Sequence, residues 1–500
     1  MKVKHWSRRE LFHRCVKTAA LLAMSKSWAQ NPSPVSVEGQ RLTFLTTTEN
    51  APWQAGTILK AGSGGTALDL IIEPDDQPGP AAHTIRGFGA CFNELGWTAL
   101  NALSGKDRTS VLRELFHPTE GARFTFCRMP IGANDFSAGP YSYDDTENDF
   151  ELKRFSIDHD LEALIPFIHA AQSFQPKLRL WASPWTPPSW MKRNGFYAAG
   201  RSHADQKDNG IRPDQLGHEG QDLFRVEPQY LETYARYFGK FIDAYAKVGI
   251  RIGMVMPQNE FNSVQPFPSC PWTATGLASF LRYLGPEMAK RHVDIFFGTL
   301  ERGNIKLLET SMEDPVAGPF LKGVGIQWAG KNALSAIKHA YPNLPVIGSE
   351  QECGDGQNDW AYTSYCWQLM KTYFRNGASA YMYWNIALAQ GAPSTWGWKQ
   401  NSLVSVDTAN GTFRYTHDYY LFKHLTHFVD VGAHRIETSG TGDDALAFRN
   451  PDGTVILLLR NELAHPQWIT VHAGQRNIAL ELPSDSIATL SLDRPPAVAA

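Results

Sequence analysis

The sequence has no charge to spare. Its 47 Lys and Arg stand against 50 Asp and Glu for a net charge of −3, and only 19% of its residues are charged. No one-signed field is left over to hold a phosphate backbone or an anionic surface, which excludes nucleic acid as a partner. Cysteine is scarce as well. Of the six, Cys15 lies in the opening stretch, and Cys91, Cys127, Cys270, Cys353 and Cys366 form no C-x-x-C pair, so neither a disulfide framework nor a zinc site is indicated. The apolar stretch after Cys15 is interrupted by Lys17 and falls short of the ~20 residues that a membrane span requires. Signature loops are missing too. Gly62-Ser63-Gly64-Gly65 lacks the Lys and Ser/Thr of a phosphate loop, Gly87-Phe88-Gly89 has no following Gly at the dinucleotide spacing, and there is no G-x-S-x-G elbow. The glycine strings read as turns. His424 and His427 lie three apart on an expected helix without a third ligand nearby, and read as structural.

Aromatic residues, in contrast, are plentiful: 27 Phe, 17 Tyr and 15 Trp in 500 residues. That is the composition of a folding chain, long enough for one large barrel and a smaller companion domain. Many of the rings stand beside Gly, Pro, Asn and Asp in expected loops, where burial does not require them. A ligand surface is the expectation. Residues 1–29 carry a basic start, Arg8-Arg9 after Ser7, a modest apolar run and the small-residue site Ser27-Trp28-Ala29. They read as a twin-arginine export signal, which sends the chain to the periplasm or out of the cell.

Eight short apolar runs, at 85–92, 124–131, 178–183, 251–257, 293–299, 323–328, 345–349 and 378–384, alternate with helical-looking segments such as 158–171 and 228–248. Strands alternating with helices imply parallel pairing, and eight of them a closed (β/α)₈ TIM barrel over 85–428. In 228–248, Tyr230, Tyr234, Tyr237, Phe238, Phe241 and Tyr245 form a helical stripe that reads as core. Outside the barrel, the runs at 41–48, 67–72 and 434–492 are β-type without helices between them. Asn450-Pro451-Asp452-Gly453 ahead of Val455 is turn chemistry. The expectation is an appended all-β antiparallel sandwich, 429–495, completed by N-terminal strands from 30–84, with the Pro/Ala tail after Arg494 disordered.

In such a barrel, residues just past the strand C-termini converge on one mouth. The runs end at Asn93-Glu94, Asn134-Asp135, Pro184-Trp185, Gln258-Asn259-Glu260, Glu350 and Trp384-Asn385. Closure sets Glu260, on strand four, across the opening from Glu350, on strand seven. Two facing carboxylates suit glycosidic cleavage: one acid protonates the leaving oxygen, and a carboxylate captures the developing oxocarbenium carbon. Burial and mutual repulsion raise one pKa while donors keep the other group ionised. Trp185, Trp190, Trp384, Trp396 and Trp398 are candidate platforms for the C–H faces of a sugar.

These strand ends carry a resemblance. Arg128-Met129-Pro130-Ile131-Gly132, then Asp135-Phe136-Ser137 and Tyr141-Ser142-Tyr143-Asp144-Asp145, and further on Ser183-Pro184-Trp185-Thr186-Pro187-Pro188-Ser189-Trp190-Met191-Lys192 are similar to the second- and third-strand signatures of glycoside hydrolase family 30, the glucosylceramidase-like branch of the retaining (β/α)₈ glycosidases. Asn259-Glu260 resembles the pair whose Glu is the acid/base, and Ser349-Glu350 the segment that carries the nucleophile. The resemblance implies that Arg128 orients the nucleophile, Asn259 bonds the sugar 2-hydroxyl, and Asp135, Trp185, Trp384, Trp398 and Asn401 line the subsite for the terminal sugar. Trp328 and Asn385 complete the candidate substrate-binding set. The chain departs from the family at Phe261, where Pro is usual, and at Gln327-Trp328-Ala329, where glucosylceramidases have His-Trp-Tyr. Glu352 is a rival nucleophile by position; Glu350 is preferred because Ser349-Glu350 ends the apolar run. The reading is an exported retaining β-glucosidase of glucosylceramidase type acting on a β-linked glycoside or oligosaccharide, with water as second substrate and no cofactor or metal. Membrane contact is expected only for a glycolipid substrate. The alternative is an endo-acting β-1,6-glucanase or xylanase, its chain-length and linkage preference set by the insertion 194–228 and the loop 261–275. From another class comes a non-catalytic carbohydrate-binding barrel.

Overall fold

A computed structural model describes residues 35–37, 40–59, 68–73, 83–204 and 206–493; the expected export signal, the Gly62 to Gly65 turn and the tail after Arg494 lie outside the described residues. Eight parallel strands, Gly87–Cys91, Phe126–Pro130, Arg179–Ser183, Ile252–Val255, Asp294–Leu300, Leu321–Ile326, Val346–Gly348 and Ala378–Ala389, pair in chain order. The eighth closes on both the seventh and the first. Each strand falls on one of the expected apolar runs. They read as unbroken runs because both of their faces are covered. Phe126, Trp181, Met254, Phe296, Ile347 and Met382 fill the interior, and the surrounding helices cover the outside.

The helix Pro228–Lys247 buries Tyr234, Tyr237, Phe238, Phe241 and Tyr245 in that outer shell, so its aromatic stripe is core. The helix expected over 158–171 is two pieces, a 3₁₀ turn Asp158–Leu161 and an α-helix Leu164–Gln172. Pro166 is the reason: it has no N–H for the Glu162 carbonyl one turn earlier, and is tolerated only because it lies in the first turn of the second piece. Asp160 faces inward, its buried carboxylate accepting the hydroxyls of Tyr141 at 2.8 Å, Tyr143 at 2.6 Å and also Tyr245. A hairpin, Ser402–Asp407 with Thr412–Tyr415, extends the barrel sheet beyond strand eight, an addition that the eight-run pattern does not predict.

The second unit is a sandwich of two sheets. One holds Gln40–Thr48, Ala51–Ala55, Ala445–Arg449, Val455–Asn461 and Ser486–Leu492, the other Thr57–Leu59, Leu68–Ile72, Gln467–Ala473 and Arg476–Leu482, with short edge strands on each. Both chain ends therefore build it, around a core that includes Leu42, Leu70, Leu457, Val471 and Leu490. The Asn450 to Gly453 turn is present, with the Gly453 N–H donating to the Asn450 carbonyl at 2.9 Å. Gly453 sits at φ 89°, which a side chain would make costly. The sandwich is not wholly antiparallel: Leu68–Ile72 runs parallel to Gln467–Ala473. These strands come from opposite ends of the chain, so no hairpin dictates their direction.

His424 and His427 fasten the units together. The ring nitrogens of His424, on the helix His417–Thr426, lie 2.8 Å from Thr489 Oγ1 and 2.8 Å from Thr47 Oγ1, while His427, anchored within the barrel by Nδ1 at 2.7 Å from the Gly121 carbonyl, meets the ring of Trp53 edge-on. Burial pushes the two imidazoles down to about 3 and about 4. Among the described residues, no group of three or more His, Cys, Asp or Glu is placed to hold a metal ion, and no helix is long and apolar enough to cross a membrane.

Candidate active site

Glu350 follows strand seven and is held from both sides: the Ser349 N–H donates to the Ile326 carbonyl at 2.9 Å and the Gln351 N–H to that of Met382 at 2.8 Å. Neighbouring strands thus fix its backbone. Glu260 follows strand four in a left-handed conformation, φ 45°, which costs a non-glycine residue about 1–3 kcal/mol. Local bonds hold it there. The Glu260 N–H donates to Thr299 Oγ1 at 2.8 Å, and its carbonyl accepts the Ser263 N–H at 2.8 Å.

Arg128 is wholly buried and anchors the centre. Its Nη1 donates to Glu350 Oε2 at 2.5 Å, and its Nη2 to Asn259 Oδ1 at 2.7 Å and Ser183 Oγ at 2.9 Å. The guanidinium lies 4.8 Å, 4.4 Å and 5.4 Å from the ring centroids of Trp181, Trp185 and Trp384, a desolvated setting in which cation–π attraction is strongest. Asn259 Oδ1 also accepts from Thr299 Oγ1 and Gln327 Nε2, each at 3.3 Å. Those three donors fix its amide orientation and leave the NH₂ for a ligand.

Gln327 joins Glu260 to the same network: its Nε2 donates to Glu260 Oε1 at 3.2 Å and to Asn259 Oδ1, which the Arg128 guanidinium also bonds. Burial is the largest influence on both acids. It raises Glu260, opposed by the amides of Gln265 and Gln327. It pushes Glu350 up to about 7, with Arg128 pulling it back and the charge of Glu260 adding to the rise. Two like charges in one desolvated pocket do not both ionise readily, so the pair holds a proton near neutrality. Of the two, only Glu350 has a guanidinium in hydrogen-bond contact.

Two further carboxyls share the mouth. Asp135 is buried, and its Oδ1 has no hydrogen-bond partner; burial, then the charges of Glu350 and Glu260, hold it well above the usual carboxylate range. Glu301 follows strand five. Its Oε1 accepts the Asn262 N–H at 2.8 Å and the Ser263 hydroxyl at 3.1 Å, tying down the turn that carries Glu260. Its Oε2 is unpartnered, and burial pushes the group up to about 8. The indole N–H groups of Trp384 and Trp398 are buried without a partner as well. Buried orphan donors and acceptors are rare; here they gather with Asp135 around one mouth and suit a hydroxyl-rich ligand.

This arrangement agrees with what the comparisons show. The family model "Glycosyl hydrolase family 30 TIM-barrel domain" matches residues 85–429, and the family's β-sandwich domain matches 432–490. The chain belongs to glycosyl hydrolase family 30. It is a glycoside hydrolase acting on β-linked glycosides. Among curated relatives it is 28% identical over 445 residues to the lysosomal acid glucosylceramidase of Mus musculus, covering 83% of this chain and 81% of that one. It is 26% identical over 461 residues to an endo-1,6-beta-D-glucanase of Aspergillus fumigatus, covering 87% and 90%. The crystal structure of SrfJ from Salmonella typhimurium superposes with a TM-score of 0.78 at 23% identity, covering 91% of this chain and all of that one, which shows the shared fold.

In this family 30 hydrolase, Arg128, Asp135, Trp185, Asn259, Glu260, Glu350 and Trp384 converge on the mouth. Other expected residues are placed differently. Trp185 is a wall rather than an open platform: it is 2% exposed, packed against both the Arg128 guanidinium and the ring of Trp384, 5.2 Å away. Trp396 is likewise buried, its Nε1 donating to the Tyr197 hydroxyl. Trp328 and Trp398 are the half-buried rings packed on this aromatic cluster. Trp190 lies elsewhere, against Phe150 and Tyr230. Asn385 is framework, bonding Asn93, Gln400 and the Asn401 carbonyl; Asn401 Oδ1 accepts the N–H groups of Gly356 and Asn358, and its Nδ2 is buried without a partner. Glu352 is occupied away from Glu350, paired with Lys331 at 2.5 Å and accepting the Tyr365 hydroxyl at 2.6 Å.

Gln327, Glu301, Thr299 and Gln265 join the site without having been among the expected residues. The first three stand at the ends of strands five and six, and the rule that strand ends line the mouth points to Glu301 and Gln327 as well. Gln265, which donates to Glu260 Oε2 at 3.2 Å, lies on the loop after strand four and carries no sequence signal. Ala329, where the family often has Tyr, is exposed. The Cys353 thiol is 3.9 Å from Glu350 Oε1 instead.

Proposed function

We propose that this hydrolase cleaves terminal β-glucosides by double displacement, with Glu350 as nucleophile and Glu260 as acid/base. The observation that carries the reading is the asymmetry of the pair: Glu350 is bound by a buried guanidinium, whereas Glu260 has only neutral amide donors. In the first step Glu350 attacks the anomeric carbon, the glycosidic C–O bond breaks, and the Glu260 proton passes to the leaving oxygen. In the second, Glu260 takes a proton from water, whose oxygen attacks the same carbon and releases Glu350. Asn259 serves the 2-hydroxyl through its NH₂, and Asp135, Trp384 and Trp398 serve the remaining hydroxyls. The glucosylceramidase relatives support a glucoside with a lipid aglycone as substrate, in which case the mouth meets a membrane surface. Arg8-Arg9 and the site ending at Ala29 support export, which sequencing the amino terminus of the mature chain tests.

The test is hydrolysis of an aryl β-glucoside by the wild type, Glu260→Gln and Glu350→Gln. Both variants lose about 10³-fold or more in activity; with azide, Glu350→Gln is expected to give the α-glycosyl azide by a single displacement, and Glu260→Gln the β-glycosyl azide by two. Wild type that binds sugars but releases no phenol from any aryl glycoside refutes the reading. One observation favours endo action on β-1,6-glucan instead. A cavity of about 290 Å³, lined by Tyr141, Ser142, Asp145, Thr186, Ser189 and Tyr197, adjoins the loop after Trp185 and has room for a further sugar. Faster cleavage of β-1,6-linked glucose oligomers than of monosaccharide glucosides selects that alternative.

A further inference from the structure

We infer that Glu301 is a positioning residue for the acid/base: from the end of strand five it grips the turn that carries Glu260, and so aims that carboxyl at the leaving oxygen. The inference rests on the proposed roles of Glu260 and Glu350. It adds a third acid to them, one whose task is to hold rather than to react.

Proton donation is sensitive to aim. An acid must lie within about 3 Å of the oxygen that it protonates, and a misplacement of about 1 Å costs about a hundredfold in rate. Glu260 has no regular element to fix it. It stands in a turn past strand four at φ 45°, a conformation that persists only where its surroundings over-determine it. Strand five supplies those surroundings. Thr299 Oγ1 accepts the Glu260 N–H at 2.8 Å, and beyond the acid/base Glu301 Oε1 accepts the Asn262 N–H at 2.8 Å and the Ser263 hydroxyl at 3.1 Å. The Ser263 N–H closes the turn on the Glu260 carbonyl at 2.8 Å. One carboxyl oxygen thus holds two of the three residues that follow Glu260.

No other partner accounts for Glu301. Arg302, next in the chain, comes only to 4.0 Å from Glu301 Oε1 and gives its guanidinium to Glu219, at 3.0 Å and 3.1 Å. The second oxygen, Oε2, is buried without a hydrogen-bond partner. The side chain is 1% exposed, so water does not take over its grip. Both hydrogen bonds that it accepts from other residues come from the Glu260 turn.

The test is kcat/KM, which reads the first displacement alone, for phenyl and 2,4-dinitrophenyl β-glucosides with the wild type, Glu260→Gln, Glu301→Met, Glu301→Asp and Glu301→Gln. Phenolate needs a proton as it leaves; dinitrophenolate does not. Glu260→Gln sets the scale, losing rate on the phenyl glucoside and not on the other. Glu301→Met removes the acceptor, and is expected to lose on the order of a hundredfold on the phenyl glucoside and less than about threefold on the dinitrophenyl one. Glu301→Asp ends one methylene short of the turn; it loses about tenfold with the same selectivity, and carries the test if the Met variant fails to fold. Glu301→Gln keeps the acceptor and returns to within about threefold of the wild type on both substrates. Equal losses on the two substrates, no loss on the phenyl glucoside, or no recovery in Glu301→Gln overturns the inference and leaves the mechanism standing, provided that Glu260→Gln is selective. Equal losses in Glu260→Gln itself refute the assignment of the acid, and the inference falls with it.

Discussion

At the scale of single residues, the site is a problem of buried charge. Arg128 is the one cation in direct contact with Glu350, and breaking a buried pair leaves an uncompensated charge. Arg128→Gln is therefore expected to lower stability by about 3 kcal/mol or more and activity by about 10³-fold, read from thermal melts and from kcat/KM. Glu301 makes the opposite prediction. Its native pKa, about 8, is raised by burial above the usual carboxylate value. The native state thus binds its proton more tightly than the unfolded chain, so its contribution is complete below about pH 4 and is lost as pH rises through about 8. Glu301→Gln keeps an acceptor for the Asn262 N–H and removes the ionisation. The variant should gain on the wild type in melting temperature between pH 6 and pH 9, by about 1–3 °C; equal melting curves at both pH values would show that Glu301 does not titrate in this range.

At the scale of elements, the strand ends are the most legible part of the chain. Eight covered strands leave eight apolar runs, and the residues just past each run line the mouth. That rule places Asp135, Asn259, Glu260 and Glu350 together from sequence, while Arg128, inside the second strand, is indicated by the family resemblance alone. The features that no run marks are tertiary in origin. The inward turn of Asp160 depends on three tyrosines from distant segments, and the roles of Asn385 and Asn401 depend on loops without periodicity. The insertion 194–228 is legible as an insertion but not as a clamped one. The amine of Lys192, wholly buried, donates to the carbonyls of Tyr197 at 3.0 Å, Ala198 at 3.4 Å and Ser269 at 2.8 Å, tying this insertion to the loop 261–275 that supplies Gln265. Burial pushes Lys192 down to about 8. Lys192→Met strands three carbonyls, and should open 194–228 to limited proteolysis and raise KM by about tenfold. Unchanged cleavage and unchanged KM would show that the loops hold each other without it.

At the scale of the whole molecule, the barrel and sandwich are not separable parts. The sandwich takes strands from both chain ends, and the barrel's helix Trp360–Arg375 leans on it. Trp367 Nε1 and Lys371 Nζ reach Asp444 at 2.9 Å and 2.5 Å, Arg375 reaches Asp443 at 2.9 Å, and Phe374 packs on Phe448. A chain ending at Asp430 exposes this face and should aggregate, as seen by gel filtration; a monomeric, active truncation would show that the barrel stands alone. What the assembled scaffold does for function is to bury two acids from strands four and seven at one mouth, linked through Arg128, Asn259 and Gln327. The direct test is proton NMR of the first sugar released from an aryl β-glucoside, before mutarotation. Two displacements at one carbon restore its configuration, so the β-anomer must appear first. Initial release of the α-anomer would mean that water attacks directly, and would contradict the roles assigned to Glu260 and Glu350.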